Sequence, residues 1–165
     1  MAELAAALRR SGHEVVIVER DDLRAMLADI ARTLAEQTRP HYLFCYGVDA
    51  AHTLLEAKEP GNPSGLDQLR TVLRHGPEHR THIFGWWRGV GRLKASLPMG
   101  SVEDIGPWVA FDVQGQELQM ALALGQVITW SARPGRGLFF DRFAHARPHV
   151  IIPFDVTKAL PEDTA

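Results

Sequence analysis

The sequence predicts an α/β fold, a mostly parallel sheet with helices on both faces. Three observations lead to it. Short β-branched or aromatic runs alternate along the chain with segments of helical period. The longer helical segments each carry one apolar stripe, as a helix lying on a sheet requires. No internal repeat and no break in composition divides the 165 residues, a length that suits one domain with a sizeable core. The expectation is a single α/β domain over residues 1–165, with a loose tail from Pro153.

The elements follow in order. Ala2 to Arg10 is helix-prone and stops at Ser11-Gly12. Glu14 to Val18 is a β-branched run and reads as a buried strand. Asp21-Asp22 opens a helix whose acids suit the helix dipole. Leu23, Met26, Leu27, Ile30 and Leu34 form its apolar face, and Pro40 closes the segment. Tyr42 to Tyr46 is the second strand, followed by Gly47 and a polar loop, Glu56 to Gly65. Ser64, with Asp67 three positions on, resembles a capping box. Leu66, Leu69, Val72 and Leu73 then form a helical face that ends at His75-Gly76-Pro77. Thr81 to Trp87 is the third strand, and Arg88 to Leu97 a short helix broken by Pro98. Trp108 to Val113 is the fourth strand, Gln116 to Leu124 a helix, and Leu138 to Phe140 a last short strand.

Composition narrows the class. Hydrophobic residues are 45% and charged residues 23%, which excludes a disordered tail, a collagen-like rod and a disulfide scaffold. No apolar stretch is long enough to span a membrane, and Met1 to Arg10 lacks the order of a secretory signal. The single cysteine, Cys45, lies in an apolar run, so a buried thiol and a reducing cytoplasm are expected. Basic and acidic residues number 18 and 20, so no global field attracts nucleic acid.

Few constellations carry chemistry. His75, His79 and His82 are close in sequence but straddle a Gly-Pro turn and a strand start, so they cannot share a helix face and read as loop histidines. His145 and His149 flank Pro148 and carry still less. There is no nucleophile elbow. Neither Gly85 to Gly91 nor Gly135 to Gly137 matches a phosphate loop, and Lys58, Lys94 and Lys158 lie outside any such loop. No catalytic residue and no metal ligand is assigned. Ligands of open parallel sheets sit beyond the carboxyl ends of the strands. That rule selects Tyr46, Gly47 and Asp49 after the second strand, and Trp87 and Arg88 after the third. Asp49 either binds a metal or water there or caps the following helix. Arg88 either meets a phosphate or starts a helix in water. Arg133, Arg136, Arg142 and Arg147, opposed by Asp141 alone, form a basic patch that suits nucleic acid or a solvated loop.

The order of these pieces resembles the second half of an FtsK/SpoIIIE-type P-loop ATPase domain, as in actinobacterial relatives and type VII secretion motors. The pieces are YLFCYGVDA (Tyr42 to Ala50), LRHGPEHRTHIFGWW (Leu73 to Trp87), WVAFDV (Trp108 to Val113) and PGRGLFFD (Pro134 to Asp141), and the likeness runs over about residues 12–152. It implies a RecA-like P-loop NTPase core, ATP and magnesium in the family, and hexameric rings that move DNA or secreted protein. Two departures matter. The phosphate loop and its lysine are absent, as if the chain began after them. The magnesium-holding Asp-Glu pair of the family falls at Tyr46-Gly47, with Asp49 two residues late, and the polar sensor position falls near Trp87-Arg88. No cofactor is therefore expected for this chain alone.

The expected role is a truncated or degenerate ATPase segment, a structural or assembly part of a translocase that partners its own copies or the rest of a ring. The alternative is an independent α/β module that binds a small ligand or a protein near Asp49 and Arg88. The resemblance also places the phosphate-loop strand between the third and fourth strands. Without that strand, either Ile83–Trp87 pairs in parallel with Val109–Val113, or a second copy covers the gap.

Overall fold

The computed structural model describes residues 1–97, 101–121 and 127–153. The chain forms two compact units, Met1–Ile105 and Gly106–Ala165, each with its own sheet.

The first unit runs α1 (Ala2–Arg10), β1 (Glu14–Val18), α2 (Leu23–Thr33), β2 (His41–Cys45), α3 (His52–Glu56), α4 (Gly65–His75), β3 (Thr81–Gly85) and α5 (Val90–Ser96). Its sheet has the order β1-β2-β3 and is parallel throughout. The register pairs Glu14 with His41 and Thr81 at one end, and Val18 with Cys45 and Gly85 at the other. On one face Val18, Leu43 and Cys45 pack with Leu23, Leu27 and Ile30 of α2 and Leu69 and Val72 of α4. On the other, Val15 and Phe44 meet Ala5 of α1, with Leu8, Tyr42 and Phe84 beside them. Helices thus lie on both faces. The same face carries aromatic pairs: Phe44 on Phe84 at 4.6 Å and Tyr42 on His82 at 5.2 Å between ring centroids. Burial there holds the His82 imidazole below its usual pKa.

Local signals explain the boundaries. α1 ends at Ser11, and the Arg9 guanidinium then donates to the Val15 carbonyl, tying the helix end to β1. α4 begins with a complete capping box. The Asp67 N–H donates to Ser64 Oγ at 3.2 Å, and Asp67 Oδ2 accepts from the Ser64 N–H at 3.1 Å and from its hydroxyl at 2.7 Å. Those bonds from Ser64 hold the Asp67 carboxyl below its ordinary pKa. Ser64→Ala is expected to cost about 1 kcal/mol at neutral pH. A carboxyl with a lowered folded-state pKa stabilises above its unfolded value and loses that contribution as pH falls through the folded one. Urea midpoints of wild type and variant should therefore converge in part between pH 7 and pH ~3.

β3 is an outer strand. The His41 N–H donates to Arg80 O, and the Trp86 N–H donates to Cys45 O. Even-numbered residues of β3 therefore turn their backbone groups to β2, and Ile83 and Gly85 turn theirs to the open side. Neither has a backbone partner there among the described residues.

The second unit holds β4 (Pro107–Phe111), α6 (Gly115–Ala121), β5 (Gly137–Asp141) and β6 (His149–Ile151). Its sheet is antiparallel, in the order β4-β5-β6, with Trp108 opposite Phe140 and Leu138 opposite Val150. Leu118, Leu138 and Phe140 are buried, and Trp108 lies 5.4 Å from Phe140.

This corrects two expectations. The sheet is not mostly parallel through the whole chain, and the fourth strand does not pair in parallel with Ile83–Trp87. β4 alternates between exposed and half-buried residues, the mark of an antiparallel strand with one covered face rather than of a strand buried on both. Its partner β5 can start alongside because residue 137 is glycine. A Cβ there would lie 2.7 Å from the Phe111 ring and 3.0 Å from Ala110 O. β6 has no expected counterpart. Pro98, residues 122–124 of the expected helix, and the tail beyond residue 153 lie outside the described residues.

Candidate functional site

The carboxyl ends of β2 and β3 are tied together. Beyond the Trp86–Cys45 bond, the Val48 N–H donates to Trp86 O at 3.1 Å. Between them Gly47 takes φ 64°, and the chain turns into a 3-10 segment, Val48–Ala51, that leads to α3. Asp49 thereby comes inside, with its side chain only 1% exposed. From β3 the chain passes Trp86 and Trp87 and delivers Arg88, whose Nε donates to Asp49 Oδ2 at 2.8 Å. Arg92, on α5, brings its Nε to 3.9 Å from the same oxygen.

One buried carboxylate thus holds two guanidinium groups, each more than half exposed, and the cluster carries a net positive charge. Buried Asp49 Oδ1 and Trp87 Nε1 have no hydrogen-bond partner among the described residues. The arrangement suits an anion approaching Arg88 and Arg92 from solvent. It does not suit general-base chemistry at Asp49, whose carboxylate is engaged by arginine.

The structure brings Asp49 and Arg88 together, and it overturns the capping role for Asp49. Neither the 3-10 segment nor α3 has a side-chain cap, and the carboxylate turns to Arg88 instead. The start-of-helix role for Arg88 also fails, because α5 begins two residues later at Val90. Tyr46 is exposed beside Gly47, and Trp87 is half-buried, its ring lying against Gly85. Arg92 was not legible as a member, since its membership depends on α5 running back toward Asp49.

Other candidates separate from this cluster. Cys45 is buried, and desolvation pushes its thiol up to about 12, so it is inert. His145 accepts the Asp141 N–H at Nδ1 and packs edge-on against Phe139 and His149. Among the described residues no group of three or more His, Cys, Asp or Glu could hold a metal ion. A depression of about 360 Å3 at the end of β1, lined by Ile17, Val18, Asp22, Ala25, Met26 and Asp29, carries two carboxylates, and Asp29 pairs with Arg32.

The basic patch lies in the second unit. Arg133 and Arg136 flank a turn before β5, Arg142 follows β5, and Arg147 is exposed before β6. Arg133 and Arg136 share a groove with Trp130. That tryptophan was not singled out from the sequence, although its place three residues before Arg133 was a usable signal. No helix among the described residues is long and apolar enough to cross a membrane. No protein-family model and no curated protein matches the chain.

Proposed function

We propose that this chain is a non-hydrolysing, FtsK/SpoIIIE-like segment with a RecA-type core, a structural or assembly part of a DNA or protein translocase. The observation that carries the reading is the Asp49–Arg88 pair. Where the resemblance expects a magnesium-holding acid pair stand Tyr46 and Gly47, and the nearby carboxylate of Asp49 is buried against a guanidinium. The edges add support. β3 and β4, which the resemblance sets on either side of a phosphate-loop strand, each lie at an edge of their own sheet. An open row of N–H and C=O groups at Ile83 and Gly85 suits a strand supplied by another polypeptide.

Isothermal titration with Mg-ATP tests the reading. The expected dissociation constant is no tighter than millimolar, with no phosphate release above blank. A micromolar constant or measurable turnover overturns it.

A second reading, a small-anion module, is favoured by the exposed guanidinium groups of Arg88 and Arg92 beside the unpartnered Asp49 Oδ1. Its signature is micromolar binding of inorganic pyrophosphate without magnesium, lost in Arg88→Ala.

A further inference from the structure

The second unit contains a groove that the reading above does not use. It has a volume of about 520 Å3 and is lined by Thr129, Trp130, Ser131, Arg133, Arg136 and Val150. We propose that this groove binds single-stranded nucleic acid, with a base stacked on Trp130 and backbone phosphates on Arg133 and Arg136. The proposal does not rest on the ATPase resemblance.

The backbone holds these groups in place. The Gly115 N–H, at the start of α6, donates to Trp130 O at 3.1 Å, and the Trp130 N–H donates to Ile128 O at 3.1 Å. The indole is thus mounted on a segment fixed at both its backbone groups. The two arginines occupy the corners of one β-turn, closed by the Arg136 N–H donating to Arg133 O at 3.2 Å. Pro134 sets the first central position, and Gly135 takes φ 69° at the second, the type II arrangement that favours glycine there. Such a turn keeps its first and fourth Cα atoms within about 7 Å, so both guanidinium groups leave the chain at one place.

The side chains then specify the ligand. Arg133 and Arg136 are exposed, and neither has an ion-pair partner among the described residues. Guanidinium groups favour phosphate, and the hydroxyls of Thr129 and Ser131 add neutral donors. Half-buried Trp130 and exposed Val150 supply a flat apolar surface. A free anion has no use for that surface, and the bases of a duplex are already stacked on each other. An unpaired strand offers both a phosphate backbone and open base faces.

The test uses the full 165-residue chain and a fluorescently labelled 12-residue oligothymidylate, read by anisotropy at several salt concentrations. At low salt the oligothymidylate is expected to bind more tightly than a duplex of the same length. Trp130→Ala should weaken it about ten-fold, with Trp130→Phe keeping most of the binding. Arg133→Ala with Arg136→Ala should lower the slope of log affinity against log salt by about 1.4. Val150→Glu, at an exposed position that leaves the turn and the indole intact, should weaken binding several-fold and guards against a misfolded Trp130 variant. The proposal fails if the oligonucleotide does not bind at low salt, if the duplex binds as well as the single strand, or if Trp130→Ala and Val150→Glu both leave affinity unchanged.

Discussion

Phe44→Ala is expected to remove about 3–5 kcal/mol of stability. Phe44 is fully buried in the central strand of the parallel sheet, stacked on Phe84 with ring planes 11° apart, and sealed by Ala5 and Val15. Truncation loses the transfer free energy of the ring and leaves a cavity that two rigid strands and a helix cannot collapse to fill. Ile17, one strand outward and 39% exposed, is the control, and Ile17→Ala should cost under about 1 kcal/mol. Urea unfolding followed by circular dichroism compares the two. Equal losses would mean that the α1 face is not a packed core.

The second large effect concerns Arg88. Removing one member of a buried pair strands the other, at a typical cost of about 3–5 kcal/mol. Arg88 is itself 60% exposed, so solvent screening reduces the figure to about 2 kcal/mol for Arg88→Ala. Asp49 is then left inside with only the more distant Arg92. Asp49→Asn behaves differently. It removes the buried charge and leaves a guanidinium that water already solvates, so the loss should stay under about 1 kcal/mol. The double variant should be close to Asp49→Asn alone. A double-mutant cycle from denaturation midpoints reads this asymmetry, and the opposite order would mean that Asp49 stabilises the fold by some other contact.

Much of the first unit was legible in the sequence, because its signals are local. α1 and β1 have the expected bounds, Ser64 and Asp67 form the capping box, and Leu23, Leu27, Ile30 and Leu34 are buried as the stripe required. The second unit was less legible for a physical reason. Trp108-Val109-Ala110-Phe111 is apolar at every position, and such a run does not reveal whether one face or both are covered. The antiparallel partner lies some 30 residues on, admitted by Gly137, and nothing within β4 itself encodes it. The candidate site divides in the same way. Strand ends selected Asp49 and Arg88 one at a time. That they meet depends on β2 and β3 being neighbours in the sheet, across 39 residues of chain.

The order β1-β2-β3 also governs how this sheet can be assembled during synthesis. Each strand pairs with the next one in the chain, so no strand waits for a distant partner. As the polypeptide emerges, β1, α2 and β2 can close into a unit before β3 has been translated, and β3 then zips onto an edge already in place. Each pairing still closes a long crossover, from Glu14 to His41 and from His41 to Thr81, so this sheet forms more slowly than hairpin-linked strands would. The sheet grows in one direction, each new strand covering the edge left by the last, while β1 stays at the opposite edge. When the first unit is finished β1 and β3 are the two outer strands, and on the β3 side the backbone groups of Ile83 and Gly85 remain uncovered among the described residues.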